Sequence, residues 1–396
     1  MKKLPNFVLS NLVIVITICL FGRIVFAFEL VHTTATLSQP RSFLAAASVG
    51  QKAFFAGGEI NSSTTSNVVD IYDSVSGTWS TTTLSQPRES LAATVVGNKV
   101  IFAGGYTNSG FSNVVDIYDA ETGHWSTATL SQGRSALAAT TVGNKAIFAG
   151  GWNTPGGPGY SNIIDIYDAE TNTWSTATLS QARGALAATT VAGKAFFAGG
   201  TADGSNGSRR IDIYDSLSGL WSTSTLSIGR YGLAATTIDQ QAIFASGTTH
   251  ALSDTIGVEI YHALSNTWSA SALSEGRDTP AATAVANLAF FGGGNRDSGY
   301  GTKTVDIYDS GNNQWSIDFL SQPRCYLAAT SVGNMAIFAG GQGRDVGYSA
   351  VVDIYTVPEP ATLLLVGLGG LVLLRKRSLE QISKKSSPAF GGSANL

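Results

Sequence analysis

The sequence predicts an all-β fold, a seven-bladed β-propeller with four antiparallel strands per blade in which the N-terminal strand completes the last blade. Three observations carry this. Arg41, Arg88, Arg134, Arg183, Arg230, Arg277 and Arg324 recur at spacings of 47, 46, 49, 47, 47 and 47, so one unit is repeated seven times. Within each unit an Ala-Ala pair, a small-residue doublet and a Val/Ile-acid-Ile-Tyr segment follow in fixed order, and six units end in a Trp. Finally, His32-Thr33-Thr34-Ala35-Thr36-Leu37-Ser38-Gln39 aligns with Trp125-Ser126-Thr127-Ala128-Thr129-Leu130-Ser131-Gln132, which places a spare fourth strand ahead of unit one.

In chain order, residues 1–27 read as a secretory signal. Lys2 and Lys3 form its basic start, Leu12 to Phe21 its apolar run and Val25-Phe26-Ala27 a small-residue context, with cleavage expected after Ala27. Arg23 interrupts the apolar stretch and leaves it too short to span a bilayer comfortably. Cys19 falls inside this signal, so Cys325 stands alone in the mature chain and no internal disulfide forms. Stability must then come from packing, which suits a large domain.

Residues 28–356 carry the repeats. Each unit has four short apolar runs rich in β-branched and aromatic residues and separated by Gly, Asn and Ser turns, the pattern of four antiparallel strands. A lone four-stranded sheet cannot cover both faces, so successive sheets stack, and radial closure removes the exposed ends. The first strand opens with small residues such as Ala45-Ala46, as a strand near a crowded axis requires. The second ends in a doublet (Gly57-Gly58, Gly104-Gly105, Gly150-Gly151, Gly199-Gly200, Ser246-Gly247, Gly293-Gly294, Gly340-Gly341), where missing side chains allow close backbone approach. The third carries one acid per unit: Asp70, Asp116, Asp165, Asp212, Glu259, Asp306 and Asp353. The outer strand bears Trp79, Trp125, Trp174, Trp221, Trp268 or Trp315, large enough to fill the widening gap between blades. Unit seven stops at Tyr355 without its Trp, and the spare N-terminal strand resolves this by supplying His32 at that position.

The doublet, the Tyr and the Trp at this spacing resemble the kelch motif over residues 28 to 356, a resemblance that itself implies a β-propeller. The departures are local: Ser246 in place of the first glycine of unit five, and Pro280 in place of the first-strand Leu of unit six.

The loops from strand two to three and into strand one emerge on the same face, and they diverge. After the doublet stand Glu59, Tyr106, Trp152, Thr201, Thr248, Asn295 and Gln342; after the Arg stand Ser42, Glu89, Ser135, Gly184, Tyr231, Asp278 and Cys325. Exposed loops on a rigid scaffold are where recognition is placed. Tyr106, Trp152, Tyr160, Tyr231, Tyr300 and Tyr348 are therefore candidate flat anchors for a ligand. The seven arginines are the second candidate set, because the kelch resemblance implies that the Arg opening the inner strand can line the ligand mouth. Seven acids match them one for one, so structural pairing is the competing expectation, and both roles can coexist.

Catalytic signals are poor. His32, His124, His250 and His262 fall in different parts of the unit, and no metal-ligand spacing is present, so neither catalytic residues, a metal nor a cofactor is expected. Gly204-Ser205-Asn206-Gly207 after Asp203 lacks the ligand spacing of a calcium loop and reads as a turn. The alternative function is a propeller enzyme acting on carbohydrate, similar to galactose oxidase or to a sugar epimerase. Cys325 lies near the expected mouth, but one nearby His is too few for a copper site.

Residues 357–377 form a third region. Val357-Pro358-Glu359-Pro360 precedes the 14 apolar or small residues Ala361 to Leu374 and the cluster Arg375-Lys376-Arg377; a polar tail, 378–396, follows. Fourteen residues fall short of the roughly 20 of a spanning helix, which makes a transient membrane anchor. The arrangement resembles the PEP-CTERM sorting signal of Gram-negative bacteria, with Pro358, Glu359 and Pro360 matching its motif. That resemblance implies an exosortase-type processing partner. With 43% hydrophobic and 13% charged residues the chain is not disordered, and a net charge of -3 gives no basic face for nucleic acid. The sequence thus predicts an exported, monomeric, non-catalytic module that binds protein or polysaccharide at the cell surface or in the extracellular matrix.

Overall fold

The computed structural model describes residues 30–154, 159–250, 253–296 and 301–358. The signal region, Tyr300, Glu359, Pro360 and the tail lie outside the described residues. One compact unit runs from His32 to Thr356. It is a seven-bladed propeller of four-stranded antiparallel sheets, and the described residues contain no helix.

Blade 1 shows the plan: Ala45–Val49, Lys52–Ala56, Val68–Asp73 and Thr78–Thr83 pair in sequence order, from the axis outward. First strands of successive blades touch all the way round, including blade 7 against blade 1. Along this inner ring hydroxyls pair across blade boundaries, Ser48 with Thr330 at 2.7 Å and Thr140 with Thr190 at 2.9 Å. Between blades the apolar faces merge. In the seam of blades 7 and 1, Phe55 and Ala53 pack with Ile337, Val352 and Leu37, with Trp79 closing the outer side. Burial of such residues supplies the main stabilisation, about 1.5–3 kcal/mol for each large apolar side chain.

The ring closes as the repeat alignment requires. Val31–Thr36 forms the outer strand of blade 7 beside Val351–Thr356. His32 takes the Trp position: its ring stacks on Tyr355 at 4.4 Å and 9°, where Tyr72 and Trp79 of blade 1 lie 5.1 Å apart. His32 Nε2 also sits 2.8 Å from Asp353 Oδ1, donating to the carboxylate.

The glycine doublets are explained by close approach. A Cβ on Gly57 would meet the carbonyl oxygen of Arg88 at 2.5 Å, and one on Gly58 would meet that of Ser42 at 2.6 Å. Ser246 departs from this pattern at φ 64°, and its hydroxyl donates to the Arg277 carbonyl, turning the close approach into a hydrogen bond.

Candidate functional site

The seven arginines do not line a mouth. Each side chain is 0–1% exposed and crosses from the start of its blade to the acid of the third strand: Arg41 to Asp70, Arg88 to Asp116, Arg134 to Asp165, Arg183 to Asp212, Arg230 to Glu259, Arg277 to Asp306 and Arg324 to Asp353. In six blades the same guanidinium donates to the second-strand carbonyl of a Phe, as Arg183 Nη2 does to Phe197 at 2.9 Å. The second oxygen of each acid accepts a backbone N–H from the connector ahead of the Arg, as Asp212 does from Ser180 at 2.8 Å. The Nε of all seven has no protein partner among the described residues. The expectation that these arginines face a ligand is therefore corrected. Burying the acid forces its cation inward, because an unpaired buried carboxylate is costly.

The two divergent positions of each blade do come together. Ser42 bridges Glu59, Glu89 bridges Tyr106, Ser135 bridges Trp152, Gly184 bridges Thr201, Tyr231 bridges Thr248, Asp278 bridges Asn295 and Cys325 bridges Gln342. In blades 7, 1, 2 and 3 the loop beyond the doublet rises as a small hairpin: Gln342–Gly343 with Gly347–Tyr348, Glu59–Asn61 with Thr64–Thr65, Tyr106–Thr107 with Gly110–Phe111, and Trp152–Thr154 with Gly159–Tyr160.

One residue further in, a collar surrounds the axis. Phe43, Ser90, Ala136, Ala185, Thr279 and Tyr326 hold φ between 48° and 55°, and Gly232 takes 62°. Non-glycine residues rarely occupy this region, and β-branched Thr279 least of all. Hydrogen bonds impose it. Ser90 N donates to Phe43 O, Ala136 N to Ser90 O, Ala185 N to Ala136 O, Gly232 N to Ala185 O, Thr279 N to Gly232 O, and Phe43 N to Tyr326 O, at 2.6–3.1 Å. Such strain persists where its surroundings over-determine it, and it concentrates at functional sites.

The collar floors a cavity of about 610 Å³ whose lining comes from all seven blades. Its side chains are unevenly distributed. Phe43 and Tyr326 stack at 4.1 Å and wall one side, while Ser90, Ala136, Ala185 and Gly232 leave the other side open. Trp152, 42% exposed, and Tyr231 flank the open side. The indole has been given room: a Cβ on Gly184 of the next blade would overlap Trp152 Cδ1 and Nε1. Of the anchors expected from sequence, Trp152 and Tyr231 line the cavity. Tyr106, Tyr160 and Tyr348 stand on the hairpins, and Tyr300 lies outside the described residues.

Among the described residues, the charged ones lining the cavity are Glu89 and Asp278, which sequence reasoning missed as binding candidates. Burial, and then the neighbouring Glu59, push the Glu89 carboxyl up to about 7. Thr248 donates to Asp254 at 2.8 Å and to Asp278 at 3.3 Å. Burial and these two carboxylates raise Tyr231, and burial with Asp278 first among the charges raises Tyr326. The Cys325 thiol, 5% exposed, is pushed up to about 12 by burial and Asp278, so it stays protonated and packs as a small apolar group. The histidines stay apart. His32 is in the blade 7 seam, His262 bonds Ser269, and His250 holds Asn206 of the neighbouring loop. Asp203 spends its carboxylate on Ser205 and Asn206, as a turn does.

The Kelch motif family matches residues 40–83, 87–129 and 133–178, which are blades 1 to 3, and the PEP-CTERM protein-sorting motif matches residues 356–378. This is a seven-bladed propeller with kelch motifs and a PEP-CTERM sorting motif. Among solved structures, the kelch propeller is similar to the one titled "Structure of YjhT", at 15% identity and a TM-score of 0.57, covering 72% of this chain and 99% of that one. That likeness is one of fold. No curated protein shows significant sequence similarity to it. The sorting motif marks the kelch propeller for export and association with the cell envelope of a Gram-negative bacterium, and implies processing by an exosortase.

Proposed function

We propose that this kelch propeller is a non-catalytic binding module of the outer surface or extracellular matrix, holding a polysaccharide in its axial mouth. The observation that carries this reading is the exposed Trp152 indole, seated over Gly184 at the edge of the cavity. A flat, pre-positioned aromatic face suits the apolar face of a sugar ring. Carboxylates beside it accept hydrogen bonds from hydroxyls and amines. Arginines at the mouth would have favoured an acidic ligand, but all seven are buried in their blades.

A glycan array probed with the full chain and with Trp152→Ala tests this. Binding to a defined glycan class that the variant loses about tenfold supports it. A second reading, a carbohydrate-active enzyme, draws on Glu89, whose carboxyl titrates near neutrality as a general acid must. Product released from a bound glycan, and lost in Glu89→Gln, would establish that reading instead.

A further inference from the structure

The mouth combines aromatic faces with charge of one sign. Trp152 and Tyr231 line its open side, and the charged lining residues among those described, Glu89 and Asp278, are both acids. Behind them stand two more acids. Glu59 lies close enough to Glu89 to raise it further, and Asp254 shares the Thr248 hydroxyl with Asp278. The seven repeated arginines are 0–1% exposed and held by acids of their own blades, Arg296 pairs with Glu275, and no cation among the described residues lines the cavity.

A neutral sugar needs a platform and a mixture of donors and acceptors. Sugar hydroxyls can donate to an ionised carboxylate, but a neutral ligand over Glu89 leaves the net charge it covers unbalanced. A protonated amine answers both features at once. It pairs with the carboxylate in a charge-assisted hydrogen bond, and it is attracted to the face of an indole or phenol.

We infer that the polysaccharide held in the mouth carries free amines, an amino-sugar polymer whose ammonium group sits between Glu89 and the Trp152 face. This rests on the polysaccharide reading above and names its substrate class. Glu89 gives the charge, Glu59 keeps it short of a cation, and Trp152 seats the ring that bears the amine.

The test compares two short β-linked glucosamine oligomers of equal length, one with free amines and one N-acetylated, titrated at pH 7.5 against the full chain. The free-amine oligomer is expected to bind at least tenfold more tightly, as one charge-assisted hydrogen bond provides. Glu89→Gln should reduce that preference to under about threefold, while Trp152→Ala should weaken both oligomers. Glu59→Gln, a change at the rim, serves as a second variant and should reduce the preference in the same direction. Equal binding of the two oligomers overturns the inference, as does a preference that neither Gln variant changes. A glycan without amines that binds through Trp152 would overturn the amine and leave the polysaccharide reading standing. A lysine-rich peptide that binds through Glu89 when no glycan binds would overturn both.

Discussion

Replacing Arg183 with Met separates the two roles that an arginine at the start of each blade could play. Its guanidinium is fully buried and donates to Asp212 Oδ2 at 2.7 Å and to the Phe197 carbonyl at 2.9 Å. The variant leaves Asp212 charged and buried, held by the Ser180 N–H without its guanidinium. Breaking a buried pair in this way costs about 3–5 kcal/mol. The unfolding entropy of a unit running from His32 to Thr356 is ~0.7 kcal/mol/K, so the melting temperature should fall by about 4–7 °C. Adding Asp212→Asn keeps the acceptor for Ser180 and removes the stranded charge, so the double variant should recover at least half of the loss. Calorimetry of the three proteins measures this, and a glycan titration below the transition should show no change in affinity. A variant that melts with the parent but loses its ligand would refute the argument and return Arg183 to the mouth.

Removing residues 28–37 takes away the outer strand of blade 7, including Leu37 at 3% exposed, and should lower the melting temperature by ten degrees or more; an unchanged midpoint would count against ring closure. Gly184→Ala puts a Cβ into the Trp152 indole and should weaken glycan binding about tenfold with little change in melting, which titration and calorimetry together can read. The Glu89 carboxyl is raised in the folded state, so the folded protein binds the extra proton and stability should fall as pH rises from 5 through 7. Glu59 and the Tyr348 hydroxyl face this group from blades 1 and 7. Glu89→Gln should flatten that slope in melting curves taken across the range, and an unaltered slope would assign it to other groups.

Blade number, strand order and closure were legible because they are written in identities at fixed spacing: the Arg, the doublet, the acid-Ile-Tyr segment and the Trp. Even the exchange of Trp for His32 could be read, since the residues after it copy those after Trp125. The site was less legible. The collar sits where Phe, Ser, Ala, Ala, Gly, Thr and Tyr alternate, and only one of these is the residue type that signals positive φ. Its conformation comes from hydrogen bonds to the neighbouring blade, which no single repeat contains. Glu89 and Asp278 were visible as variable positions, but they share a cavity only because radial closure brings blades 2 and 6 to one axis. The arginines were misplaced at the mouth because the backbone of each does begin its blade there, while the long side chain carries its charge inward.

The strand order separates two kinds of sequence freedom. First strands begin at the mouth, so third strands run away from it, and the third strand of blade 7 ends at Thr356 on the opposite face. Its antiparallel neighbour, Val31–Thr36, starts at that face too. The residues that vary most from blade to blade stand at the mouth, and the Arg–acid pairs that fix the blades lie beneath it. A substitution after the doublet or after the Arg therefore changes what the mouth presents without disturbing the buried pairs. A substitution in those pairs unsettles a blade and leaves the chemistry of the mouth as it was. Seven copies of one buried device thus support seven independent choices at the rim, so a scaffold this repetitive can present a site with no two blades alike.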